Sequence, residues 1–92
     1  MVYNFTEAMV REYLDSILEE YKKNNTDMCT CELCRQDIIA MALNNLNSRY
    51  VTTEKGHIIN RVFLEQMDNK AEIIAQILRA IQVVEKNPRH QK

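Results

Sequence analysis

Apolar side chains recur at helical spacing in three blocks of the chain, separated by two polar stretches. The first block, from about Phe5 to Lys23, carries Met9, Val10, Tyr13, Leu14, Ile17, Leu18 and Tyr21. That is an i, i+3, i+4 pattern doubled into adjacent pairs, which predicts a helix with a broad apolar stripe. Asn4 is a good N-cap, and Glu7 stands where a capping box would place it. So wide a stripe suits either one deeply buried helix or a helix shared between an internal core and a second copy of the chain. The polar run Lys22 to Asp27, with Asn24-Asn25, ends this helix.

A second helix is predicted from about Glu32 to Leu46, burying Leu33, Ile38, Ile39, Ala42, Leu43 and Leu46. It runs out in Asn44-Asn45-Leu46-Asn47-Ser48, residues that favour turns. Arg49 to Asn60 is the least regular stretch. Tyr50-Val51-Thr52-Thr53 has local strand propensity, but Gly56 and the want of a partner strand predict a loop. The third block, Arg61 to Lys86, is expected to break at Asp68-Asn69 into a short helix (Val62 to Met67) and a long one (Lys70 to Lys86). Ile74, Ile77, Leu78, Ile81 and Val84 share one face of the long helix, and Asn87-Pro88 ends it. The expectation is an all-α fold, a single compact domain of about four helices over residues 1–92, with a disordered tail at 88–92.

The chain has 92 residues, a single Gly and a single Pro. A domain so small buries only about 60% of the surface its unfolded chain exposes, and such domains often need a metal, disulfides or a partner subunit. A homodimer is therefore expected. The net charge of −1 provides no basic field for DNA, RNA or anionic lipid. The longest apolar run, Ile38 to Leu43, is far below the ~20 residues of a membrane span. The N-terminus lacks the pattern of a secretory leader, so a cytoplasmic location is expected. In a reducing compartment cysteines more readily bind metal than form disulfides.

All three cysteines fall in the six residues Cys29-Thr-Cys-Glu-Leu-Cys34. Thiolates at this spacing can converge on one zinc ion at about 2.3 Å. Cys34 would sit in the first turn of the second helix, where unpaired N–H groups favour a charged sulfur. A redox pair would require a strand and sheet that the pattern does not predict, and an iron–sulfur cluster lacks a fourth cysteine; Zn2+ is the expected ion. A fourth donor must come from elsewhere: His57 or His90, one of Asp27, Glu32 and Asp37, water, or another chain.

The run Cys29-Thr-Cys-Glu-Leu-Cys-Arg-Gln-Asp37, then Ile-Ile-Ala-Met-Ala-Leu-Asn44, then Tyr50-Val51-Thr52, resembles the bacterial late competence development protein family, ComFB. Asn87-Pro88-Arg89 after the last helix also fits, and the likeness extends over about residues 5–89. It implies a helical homodimer with zinc near the cysteines and no known catalytic activity. It further implies a regulatory role, some members being receptors for cyclic dinucleotides such as cyclic di-GMP. Two departures stand out. Some relatives carry a fourth cysteine just after the C-terminal Pro-Arg, where this chain has His90; His90 thus becomes the expected fourth ligand. Relatives often have Pro in the turn here formed by Asn47-Ser48.

No Gly-rich phosphate loop, Ser/His/Asp set, HExxH or zinc-deaminase pattern is present, so an enzyme is not expected. If the chain binds an anionic dinucleotide, Arg49, Lys55 and Arg61 are the cations to meet phosphates or guanine edges. Tyr50 could then stack on a base, and Thr52 could donate hydrogen bonds, as could Thr53. The alternative is a dimeric adaptor that binds a protein partner through its surface and takes no small ligand.

Overall fold

The computed structural model describes residues 1–65 and 67–87. Its elements are β1 (Tyr3–Asn4), α1 (Phe5–Lys22), α2 (Glu32–Asn44), β2 (Tyr50–Val51), α3 (Glu54–Leu64) and α4 (Met67–Lys86). The fold is all-α apart from the two short strands, as the periodicity predicts. No helix among the described residues is long and apolar enough to cross a membrane.

α1 starts where its cap places it. The Asn4 side chain accepts from the backbone N–H of Thr6 (3.0 Å) and also from that of Arg49 (3.1 Å), so one amide oxygen caps the helix and ties down the approach to β2. Phe5, Met9, Val10, Leu14 and Leu18 are buried, while Tyr13, Ile17 and Tyr21 pack partly exposed beside them. The wide stripe is thus half core and half flank. α2 contributes Cys34, Ile38, Ile39 and Ala42, and α4 contributes Ile73, Ile77, Ala80, Ile81 and Val84. Leu33, expected in the core, is instead 39% exposed, because the first turn of α2 faces its other side inward. Near their ends α1 and α4 are joined by the Tyr21 hydroxyl, which donates to Glu85 (2.7 Å).

Two expectations are corrected. Arg49 to Asn60 is not a loop: Tyr50 and Val51 pair antiparallel with Asn4 and Tyr3, and α3 begins at Glu54. Thr53 caps it, accepting from the N–H of Gly56 (3.0 Å). Gly56 lies in the first turn rather than breaking it. A Cβ there would lie 3.4 Å from Thr53 Oγ1 and 3.5 Å from Val51 Cβ, ordinary contact distances, so this turn accommodates glycine without demanding it. The break in the last block comes at Glu65, the C-cap of α3, and not at Asp68-Asn69, which lie inside α4. Asn69 Nδ2 reaches back to the Phe63 carbonyl (2.9 Å), satisfying one of the orphan acceptors at the end of α3.

Candidate metal centre and the exposed face of β2 and α3

The cysteines lie on the connection from α1 to α2. After α1 the chain turns on local bonds, Asn25 N–H to Lys22 (3.2 Å) and Met28 N–H to Asn25 (3.1 Å), and the Met28 side chain anchors it in the core. Cys31, in extended geometry (φ −68°, ψ 170°), is the N-cap of α2. Cys29 therefore precedes the helix and Cys34 occupies its first turn. Arg35, one residue on, bridges to Asp15 of α1 (2.7 Å) and fixes the start of α2. Cys29 is half-buried, Cys31 exposed and Cys34 buried.

This placement brings the three sulfurs within 4.8 Å of one another. A tetrahedral ion with bonds of about 2.3 Å holds its sulfurs roughly 3.8 Å apart, a contraction within reach of side-chain rotation. The donor set and its spacing fit a metal ion. The backbone N–H of Cys34 and the neighbouring thiols stabilise a charged Cys31 sulfur and hold its pKa below the usual thiol value. Burial, reinforced by the other sulfurs, pushes Cys34 up to about 12. The cluster thus ionises from its exposed side first, and the buried thiol needs a cation beside it to lose its proton at neutral pH.

Among the described residues no histidine or carboxylate joins the three sulfurs. His57 is engaged elsewhere: its Nδ1 shares a short hydrogen bond with the Tyr3 hydroxyl, and its ring meets Phe5 edge-on at 5.1 Å. Those contacts are at the start of α1, and an 18-residue helix is about 27 Å long, so His57 is far from the cysteines. His90 lies outside the described residues.

Around the second candidate region, every residue from Arg49 to Lys55 is exposed except Val51. Strand alternation explains the exception: Val51 faces the core and Tyr50 faces out, 66% exposed. Arg49 Nε donates to Asn60 (2.7 Å), and its guanidinium lies 4.3 Å over the Phe63 ring. Thr52 and Lys55 are exposed on either side of the α3 cap. Arg61 stands apart from these, on the side of α3 that faces α1, where its fork donates to both carboxylate oxygens of Glu12 (2.8 and 3.2 Å). That pairing holds the Glu12 carboxyl below its ordinary pKa. Glu12, Asn60 and Phe63 were invisible as site residues in the sequence, because each earns its place through a contact distant in the chain. The outer side of α3 exposes Ile58, Ile59 and Val62.

The profile described as late competence development protein ComFB matches residues 3–88. Competence protein ComFB of Bacillus subtilis (strain 168) is 25% identical over 88 residues, which are 96% of this chain and 86% of that protein. A solved structure, described as a structural characterization of the late competence protein ComFB from Bacillus subtilis, agrees with a TM-score of 0.77 at 26% identity. It covers 96% of this chain and 92% of that one. With a family match over nearly its full length, a shared fold and the cysteine cluster in place, this chain belongs to the late competence development protein ComFB family.

Proposed function

We propose that the chain is a regulatory module without catalysis of its own, stapled by zinc at Cys29, Cys31 and Cys34 and responsive to a cyclic dinucleotide such as cyclic di-GMP. Soft thiolates and a tetrahedral spacing favour zinc, which holds the connection between α1 and α2 closed. His90 is the proposed fourth ligand. The Tyr21–Glu85 bond brings the end of α4 beside the end of α1, from which the cysteine segment departs, and His90 is three residues beyond Asn87. A site closed by four protein donors leaves no position for substrate. Reduced thiols and this zinc suit a cytoplasmic setting.

The receptor role rests chiefly on Tyr50, a tyrosine held outward on a strand, with Arg49 before it and Thr52 and Lys55 after it. Its ring is available to stack on a base, and the two cations to meet phosphates; Arg61 is the third proposed contact. Titration calorimetry with cyclic di-GMP and cyclic di-AMP tests it. One of them is expected to bind, and Tyr50→Ala to weaken binding by about 1–3 kcal/mol, the usual worth of a stacked base. No heat with either at high protein concentration removes the receptor role.

A second role is favoured by Ile58, Ile59 and Val62, each more than half exposed on one helix. Such a patch suits pairing with a second copy or docking of a protein partner, with zinc purely structural and no small ligand. An adaptor of this kind gives no nucleotide response and loses its partner when the patch is made polar.

A further inference from the structure

α3 is held to the rest of the molecule mainly by polar contacts. Of its eleven residues only Leu64 is buried. Its other attachments include the bond between His57 and Tyr3, the His57 ring on Phe5, Arg49 on Asn60 and over Phe63, the Asn69 amide on the Phe63 carbonyl, and Arg61 on Met9 and, through its fork, on Glu12. The last of these is the link to the middle of α1. It is a two-oxygen pairing at the surface, with 39% of the Arg61 side chain and 46% of the Glu12 side chain exposed.

A phosphodiester offers a guanidinium fork the same pair of acceptor oxygens that a carboxylate does. We propose that Glu12 is a built-in competitor for the anionic ligand: its carboxylate occupies the Arg61 fork in the ligand-free chain, and a phosphate of the cyclic dinucleotide takes its place, releasing α3 from α1. This rests on the receptor role above and adds how binding is converted into a change of shape. Glu12 holds the Nη1–Nη2 edge of the guanidinium, so a phosphate that takes this edge displaces the carboxylate and with it the attachment of α3 at Glu12. The helix that moves is the one that exposes Ile58, Ile59 and Val62, so the exchange alters how that apolar face is presented.

The test compares the full chain with Glu12→Gln and with Glu19→Gln, which removes an equal charge from α1 two turns away. Calorimetry with cyclic di-GMP is expected to show Glu12→Gln binding about two- to five-fold more tightly, the range an exposed ion pair can contribute. Glu19→Gln is expected to bind like the parent. Without ligand, amide hydrogen exchange over 54–64 is expected to speed up in Glu12→Gln toward the rate of the ligand-bound parent, with α1, α2 and α4 unchanged. If the parent binds and Glu12→Gln binds no more tightly, Glu12 does not compete, and the receptor role stands without it. Equal tightening in both variants is a general charge effect and also overturns the exchange. Absence of binding by all three proteins removes the receptor role and the exchange with it.

Discussion

Replacing Cys31 by Ser separates a metal staple from ordinary packing. Cys31 is exposed and caps α2, so its sulfur fills no core volume. Serine, a favoured N-cap residue, puts an acceptor oxygen there. On packing grounds the change should stay within about 0.5 kcal/mol, as surface substitutions do. If the three sulfurs hold zinc, losing one frees the ion. A metal present at a hundred times its dissociation constant stabilises the folded state by about 2.7 kcal/mol. For 92 residues, at about 2.1 cal/mol/K each, the unfolding entropy is roughly 0.19 kcal/mol/K, so the melting temperature should fall by about 14 °C. Thermal melts by circular dichroism, on protein isolated without chelator and analysed for metal, provide the check. The parent is expected to carry about one zinc per chain and to lose some 14 °C in EDTA. Cys31→Ser should melt near that lower temperature with or without EDTA. A metal-free parent whose melt shifts by less than about 3 °C on chelation and on Cys31→Ser would refute the staple. Cys34→Ala is the poorer test, because Cys34 is also a buried core residue and its loss costs packing whether or not metal binds.

Ile77 of α4 is completely buried in the core, so Ile77→Ala should cost about 2–5 kcal/mol, read as a lower urea midpoint at unchanged slope. Ile59 is 59% exposed on α3; Ile59→Asp should leave the melt nearly unchanged while converting the proposed dimer to a species of 10.9 kDa in sedimentation equilibrium. Glu12 has a folded pKa depressed below 4.5 by Arg61, so its contribution to α3 is complete above that value and is lost as pH falls through the depressed one. Hydrogen exchange over 54–64, corrected for intrinsic rate, should therefore rise on acidification in the parent and be flatter in Glu12→Gln; added salt should act in the same direction.

The helices α1, α2 and most of α4 were legible because their evidence is local: i, i+3 and i+4 apolar spacing and an Asn cap need no knowledge of the rest of the chain. β2 was not, since its partner is Tyr3–Asn4, about half the chain away, and a two-residue strand carries no periodicity. α3 was half legible. Thr53 before Glu54 is a fair N-cap, but Gly56 reads as a breaker in the sequence and in the structure sits in the first turn, its N–H bonded to the Thr53 hydroxyl. Asp68-Asn69 misled for a related reason: Asn69 satisfies the end of the preceding helix from within the next one. The site divides the same way. Three cysteines in six residues announce themselves, and the structure draws their sulfurs together. Arg61 could be named as a cation but not as the partner of Glu12, which requires α3 to fold back along α1.

The proposed metal centre follows the end of α1 and the Arg61–Glu12 pair sits near its middle, which makes them separable in experiment. The sulfurs follow the end of α1, and β1, His57 and Arg61 gather along its first half. Between them run Leu14 and Leu18, both buried, and Asp15, which bridges to Arg35 beside Cys34. Leu64 is the one buried residue of α3, so loosening the rest of this helix is a local opening, whereas an ion that closed the α1–α2 connection would support the whole fold. Glu12→Gln should thus alter exchange at α3 and leave metal content and melting temperature close to the parent. Cys31→Ser should lower the melt and raise exchange in every helix together. If Glu12→Gln instead released the metal, α3 would be part of the cooperative core and no detachable element would exist.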